Sequence, residues 1–422
     1  MSNIEAFIAA VERSSALTRF AILLVLVGFG EMALAATPAT VDEVEQLLAA
    51  SHGQSDSALA KKLSDLELTE RATTIRLLNW RSQFPGKHTQ EALTALADAS
   101  AFLDLPASDV PSTPRPSHIE MQQIISRAVD YAGSTMHRLP NVTAHRNTTY
   151  FDTLSSLDET ISRGQLPDSL YERILQQPTE GFPLHAVQTS VLVVAYRNGH
   201  EVVDAPKKPG SEAAWADAEL TTHGEFGPVL STVMTDTAHG SVSWSHWEQG
   251  AKGPRAVFGY SVPKEASHYE VAFADEKPQK PAYHGEIAIE PSNGTILRIS
   301  LVAEMEPPVF LDPKRALEWN PRLPVEARRA EIVVEYGPVT LGDVVYLCPV
   351  RGIAFSNVPF ATTKKIYSRR DSGIFTVLIS PESYLNDVSF TDYHLFRGDV
   401  RILDADACEV RPNKPVDCSA SY

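Results

Sequence analysis

Ser190 to Ala205 reads SVLVVAYRNGHEVVDA, and the way this stretch folds decides between two different kinds of protein. His200-Glu201-Val202-Val203-Asp204 falls one residue short of the His-Glu-x-x-His signature of zinc peptidases. In those enzymes the two histidines lie one helical turn apart so that both reach one ion. The residues before the motif argue against a helix. Val191 to Tyr196 is rich in β-branched and aromatic residues, and Asn198-Gly199 is the dipeptide that a two-residue hairpin turn demands, because both central positions need positive φ. In a strand, residues four apart are separated by about 13 Å, too far to share an ion. The stretch is read as a β-hairpin, and no metal site is expected in it.

Outward from the hairpin the same alternation recurs. From Asn141 onward the candidate strands are NVTAHRNTTYF, VQTSVLVVAY, HEVVDA, SVSWSHW, RAVFGYSV, HYEVAFA, HGEIAIE, TILRISLVAE, AEIVVEY, VVYLCPVRGIAF and NDVSFTDYHLF. That makes about eleven strands, many joined by short turns, which predicts a meandering antiparallel sheet and not α/β crossovers. GEFGPVLSTVMTDTA (Gly224 to Ala238) reads as a helix between strands, Asp152 to Leu184 as a polar insertion with partial helix, and the proline-rich Pro307 to Pro324 as a long loop.

Ahead of the sheet the period is helical. Thr40 and Glu43 have capping-box spacing before Val41, Val44, Leu47 and Leu48, and three more short amphipathic stretches follow up to Leu105. Residues 36–105 are therefore expected to form a small helical domain. Residues 106–117 carry four prolines in twelve positions and read as a linker. A longer helix is expected from His118 to His137, with Met121, Ile124, Ile125, Ala128, Val129 and Ala132 as its apolar stripe.

The N-terminus has the layout of an export signal. Arg13 and Arg19 precede the apolar run Phe20 to Gly30, and Ala33-Leu34-Ala35 offers the small side chains that signal peptidase reads. The run meets Glu31 after eleven residues, where a spanning helix needs about 20. Residues 1–35 are therefore expected to be a cleaved signal peptide, leaving a periplasmic or cell-envelope protein that begins at Ala36 and is soluble there. Cysteine usage suits that compartment: Cys408 and Cys418 flank a short polar loop in the 404–422 tail and are expected to pair, whereas Cys348, inside an apolar run, is expected to be a buried free thiol.

Composition narrows the function. With 43% hydrophobic and 21% charged residues the chain is globular, and a net charge of −16 disfavours nucleic acid and anionic lipid as partners. There is no Gly-x-Ser-x-Gly elbow, phosphate-binding glycine loop or dinucleotide fingerprint, so no catalytic residue, cofactor or metal is assigned. His223, His239 and His246 lie close in sequence with Glu225 and Asp236 but lack ligand spacing, and are read as surface histidines. Trp244 and Trp247, three positions apart, are expected on opposite faces of their strand.

The order of the His118–His137 helix, successive antiparallel strands, a short internal helix and further hairpin strands resembles the bacterial lipoprotein-carrier superfamily, the group of LolA, LolB and RseB. The stretches LTERATTIRLLNW, ALADASAFLDLP, LPNVTAHRNTTYF, GEFGPVL and SHYEV resemble more closely a group of uncharacterised exported bacterial proteins, a likeness that brings no function with it. The superfamily resemblance implies an α+β fold: an antiparallel, unclosed β-barrel with covering helices spanning residues 118–403, here preceded by the helical domain. It also implies an apolar concavity able to hold a lipid, acyl chain or lipoprotein. Alternation nominates Trp244, Phe258, Tyr260, Ile287 and Ile289 to line it, although the same pattern suits ordinary core. Two other functions stay open: a scaffold or sensor that binds another envelope protein through the helical domain, and an unrecognised hydrolase.

Overall fold

A computed structural model of the chain describes residues 36–136, 140–153, 183–197, 200–203, 220, 222, 224–225, 227–250, 253–272, 278–305, 328–358, 362–367, 374–379 and 382–395. The expected signal peptide, the Cys408–Cys418 pair, most of the 152–184 insertion and the whole 307–324 loop lie outside these residues.

The first part is mostly helical. Helices α1 (Val41–Ala50), α2 (Asp56–Ser64), α3 (Thr74–Gln83) and α4 (Lys87–Ala99) close on a core of Val41, Val44, Leu63, Leu77, Trp80 and Leu93. The capping box forms as read: Glu43 N donates to Thr40 Oγ1 at 3.2 Å and Thr40 N to Glu43 Oε2 at 2.8 Å. Helix α4 starts at Gly86 without a cap of its own, and Asp56 from α2 supplies one, accepting from His88 N at 3.1 Å and Thr89 N at 2.9 Å. A side chain at residue 86 would strike Asp56, since a Cβ there would lie 2.2 Å from its Oδ1. Strands β1 (Thr37–Ala39) and β2 (Leu66–Leu68) add a short parallel pair that three-residue runs do not announce. The 106–117 linker is tied down at both ends, by Asp109 to Arg76 and by the Trp247 indole N–H donating to Pro114 O at 2.8 Å.

The second part is an open antiparallel sheet of ten strands in the order β5-β4-β3-β14-β11-β10-β9-β8-β7-β6. Strands β3 (Val142–Asp152), β4 (His185–Arg197) and β5 (His200–Val203) run out to one edge. The opening stretch is the β4–β5 hairpin, with Arg197 opposite His200. The chain then crosses to the other edge through α6 (Pro228–Asp236) and returns as a meander of β6 (Ser241–Gly250), β7 (Gly253–Val262), β8 (Tyr283–Ile289), β9 (Ile296–Met305), β10 (Arg328–Leu341) and β11 (Val344–Val358). The last strand, β14 (Glu382–Leu395), fits between β11 and β3, so the start and end of the sheet meet at its centre. Strands β12 (Thr362–Tyr367) and β13 (Ile374–Ile379) form a separate ribbon between β11 and β14. HYEVAFA is not a strand: Val271 makes only an isolated bridge to Gln279.

Two bulges re-aim side chains. Trp244 pairs with Phe258 and His246 with Val257, so Ser245 is the extra residue on β6. One extra residue reverses the alternation, and Trp244 and Trp247 end on the same face with ring centroids 5.0 Å apart, correcting the expectation that they diverge. On β9 the shift between Ala288–Arg298 and Ile289–Ile296 makes Leu297 the extra residue, bringing Ile296 and Ile299 onto one face.

Each face of the sheet has its own cover. Helix α5 (His118–Met136) lays Ile124, Ala128 and Ala132, and α6 lays Val229, Leu230 and Val233, against Phe258, Tyr260, Ile287, Ile289, Leu301, Ile332 and Val334. On the same face, Val142, Ala144, Val194, Tyr196 and Val388 form a second cluster. Between the two lies the buried pair of Arg146 and Glu225, 3.0 Å apart, with Thr222 hydrogen-bonded to both. The alternate residues of the central strands, Phe151, Val333, Ile353 and Leu385, face the helical domain and pack on Ala95 of α4. Cys348 is buried in β11, and burial pushes its thiol up to about 12.

Helix α5 seats on the β8–β9 turn at Gly294, where φ is +77° and a Cβ would lie 2.3 Å from the carbonyl of Arg127. Gly294→Ala should therefore both strain the turn and lift it from the helix, costing about 1–3 kcal/mol in urea unfolding. A loss within experimental error would contradict this packing.

A buried ion network joins the helical domain to the sheet

The face under the helical domain carries a row of charges set by register. On adjacent strands, Arg351 of β11 stands opposite Glu335 of β10, and Glu335 stands opposite Arg298 of β9. Opposite charges directly across a ladder attract, and here the two arginines flank one carboxylate. Next in register from Arg298 come Ala288 of β8 and Val257 of β7, both short. The Arg298 side chain passes over them to Glu248 of β6, with Nη1 3.0 Å from Oε1 and Nη2 2.7 Å from Oε2.

Glu248 is also the attachment point of the helical domain. Arg71, just ahead of α3, donates from Nη2 to Glu248 Oε2 at 3.0 Å and approaches Glu286 at 3.5 Å. Arg71, Glu248 and Arg298 are each at most 6% exposed. Burial alone would raise the Glu248 carboxyl, but Arg298 and Arg71 outweigh it and hold the group below the ordinary glutamate value. A second bridge runs from Arg351, whose guanidinium binds Asp98 at the end of α4, donates to Asp387 Oδ1 at 3.1 Å and reaches Thr74 Oγ1 at 3.3 Å. Thr74 in turn donates to Glu335 at 2.7 Å. Burial pushes the Asp98 carboxyl up to about 8 against the pull of Arg351.

Between these two bridges lies a cavity of about 50 Å³, lined by residues 71–75 at the start of α3, by Ala97 and Asp98, and by Glu248, Arg255, Arg298, Glu335 and Arg351 among others. Its lining is mixed, with Ala72, Ala101, Val333 and Ile353 beside the charged groups. The candidate ligand-lining residues lie elsewhere: Phe258, Tyr260, Ile287 and Ile289 are on the opposite face, at most 6% exposed, in the core closed by α5 and α6. Trp244 packs edge-on against Phe258 in the same cluster. The structure thus brings all five together, as neighbours within one packed core.

Among the described residues, two clusters combine a histidine with a carboxylate and a hydroxyl, and neither has the arrangement of a nucleophilic triad. Ser245 and His246 adjoin Glu286, but the serine hydroxyl at 2.9 Å and the carboxylate at 3.6 Å both face His246 Nδ1. A triad needs them on different ring nitrogens. On the other face, the fully buried Asp236 accepts from Tyr283 OH at 2.8 Å and His268 N at 2.8 Å, and its Oδ1 lies 2.6 Å from His268 Nδ1. That pins His268 as an orienting carboxylate would, but no hydroxyl or thiol faces its other nitrogen among the described residues. Among those residues, too, no group of three or more His, Cys, Asp or Glu side chains is placed to hold a metal ion.

Sequence reading missed the ion network. The available signal was lone charges inside apolar strands, Arg298 in TILRISLVAE and Glu335 in AEIVVEY, which alternation places on one face. No known protein family, curated protein or solved structure matches this chain.

The same face holds one buried carboxyl outside the network. Glu331, two positions before Val333 on β10, is 7% exposed and makes no hydrogen bond or ion pair among the described residues. Burial pushes it up to about 7 from an ordinary value of 4.5. A folded value above the unfolded one means stability is full below about pH 4.5 and is lost as pH rises through about 7. Glu331→Gln should therefore stabilise the protein at pH 8 by on the order of 3 kcal/mol and leave it unchanged at pH 4, measured by chemical denaturation. Equal effects at both pH values would contradict a buried, unpaired carboxyl.

Proposed function

We propose that this chain is a non-catalytic scaffold of the cell envelope that holds no lipid and engages another protein through its helical domain. One observation carries the reading. The apolar side chains nominated for ligand are taken up by α5 and α6, while Ile75 and Leu78, three apart on α3, stand 55% and 61% exposed. Residues three apart share a helix face, so they form a small apolar patch on an element held rigidly against the sheet. A rigid element with an unburied apolar face is what a protein-binding surface needs. The competing carrier reading keeps the open sheet as a half-barrel but needs a dry apolar hollow, whereas the cavity at the start of α3 carries four arginines and three carboxylates in its lining and a larger one of about 290 Å³ beside α4 is lined mostly by polar residues such as Arg81, Lys87, Glu91 and Asp387.

Location in the envelope belongs to the same proposal and rests on the export-like layout of residues 1–35. Among the described residues no helix is long and apolar enough to cross a membrane.

The two readings separate in one pair of measurements. A fluorescent fatty acid titrated into the full chain should show no saturable uptake, and a photo-crosslinking residue at position 78 should give a discrete protein adduct in cells that a probe at exposed Asp343 does not. Saturable uptake that Ile289→Asp abolishes would instead establish the carrier reading, and identical adducts at positions 78 and 343 would remove the case for α3.

A further inference from the structure

The cavity between α3 and the sheet is lined by four arginines, Arg71, Arg255, Arg298 and Arg351, against three carboxylates, Asp98, Glu248 and Glu335. Three of the arginines are committed to the network described above. Arg255 is not: it makes no hydrogen bond or ion pair among the described residues, and its side chain lies over Gly250, where a Cβ would stand 2.4 Å from its Nε. Its whole guanidinium fork is therefore available. Arg71 and Arg298, both 6% exposed, each keep a buried Nε–H without a partner. Burying an unpaired guanidinium N–H costs free energy unless something accepts from it.

The first turn of α3 adds to this. Thr73 is the N-cap and its hydroxyl accepts from Arg76 N at 3.4 Å. The amide groups of Thr74 and Ile75, which line the cavity, have no acceptor within the helix. A ten-residue helix presents partial positive charge at this end. Glu286 touches Arg71 and Arg298 at 3.5 Å but is not part of the lining. The space, about 50 Å³, is near the share of two water molecules in the liquid and suits one carboxylate group.

We propose that this cavity is a binding site for a single carboxylate, held by the Arg255 fork at the positive N-terminal end of α3. Arginine forks match the planar carboxylate in a bidentate way, which a spherical anion cannot use. The carboxylate is either a free small acid or the acidic side chain of a partner. Ile75, which lines the cavity and is mostly exposed, would lie beside the flanking residue of such a partner. The site does not depend on the scaffold reading, since a free acid occupies it without any partner.

The test is calorimetric titration of the full chain with sodium acetate, at ionic strength held constant with sodium chloride. Saturable binding is expected, weakened at least tenfold by Arg255→Gln and also by Arg255→Lys, which keeps the charge and loses the fork. Arg255 makes no hydrogen bond or ion pair among the described residues but adds to the positive field on Glu248, so Arg255→Lys, which keeps that charge, should unfold at the wild-type temperature in the absence of acetate. Acetyl-Leu-Glu-amide and acetyl-Leu-Gln-amide distinguish the sources. Tighter binding of the glutamate peptide than of acetate, lost in Ile75→Ser, assigns the site to a partner's side chain; binding of acetate alone assigns it to a free acid. Absence of saturable binding by either probe, or equal binding by wild type and Arg255→Gln, would leave the cavity as a water site and overturn the proposal.

Discussion

Glu248 sits where the helical layer touches the sheet, accepting from Arg298 of the sheet and Arg71 of the helical layer at once. Taking three charges out of water costs several kcal/mol for each ion, and the arrangement persists only because both carboxylate oxygens are used and the charges alternate. Such a network adds little to net stability compared with apolar packing. What it does impose is a single relative placement, since any sliding of one layer would leave a buried charge without its partner. The second bridge, Arg351 to Asp98, Asp387 and Thr74, repeats the constraint one helix away.

Given that placement, the other features of the fold follow. Helix α4 can lay Ala95 on Val333, Ile353 and Leu385 only when α3 and α4 sit squarely over the central strands. The opposite face is then left to α5 and α6, whose apolar residues close over Phe258, Ile287 and Leu301. The central strands are thus covered from both sides, and buried polar groups gather at the domain junction, at the Arg146–Glu225 pair and at Asp236 with Tyr283 on the opposite face. Function, on this account, lies at the surface of the helical domain and at its junction with the sheet.

Local structure was legible in the sequence because its causes are local. The β4–β5 hairpin, the Thr40–Glu43 capping box and the α5 stripe, apart from Val129, which stands 53% exposed, all depend on neighbours within a few positions. Alternation also grouped Phe258 with Tyr260 and Ile287 with Ile289 correctly, yet it could not say whether a ligand or a helix lies opposite them. The Trp244–Trp247 error has a different origin. A single bulged residue, Ser245, reverses the parity of a strand, and nothing in SVSWSHW marks which residue will bulge. The ion network is the hardest case, because Arg71 and Glu248 are 177 positions apart and each alone looks like a surface charge.

Hydrogen–deuterium exchange on the full chain, wild type and Glu248→Ala, tests the central claim most directly. Removing the carboxylate leaves the buried Arg71 and Arg298 with Glu286, 3.5 Å from each, as their remaining shared partner, and breaking a buried pair costs about 3–5 kcal/mol. In wild type the amides of α1 to α4 should be protected to the same degree as those of β9 and β10. In Glu248→Ala the helical domain should exchange faster while the central strands stay protected, as expected of a layer released from its anchor. Unchanged protection of α1 to α4 in the variant would contradict the claim that this one buried carboxylate holds the two layers together.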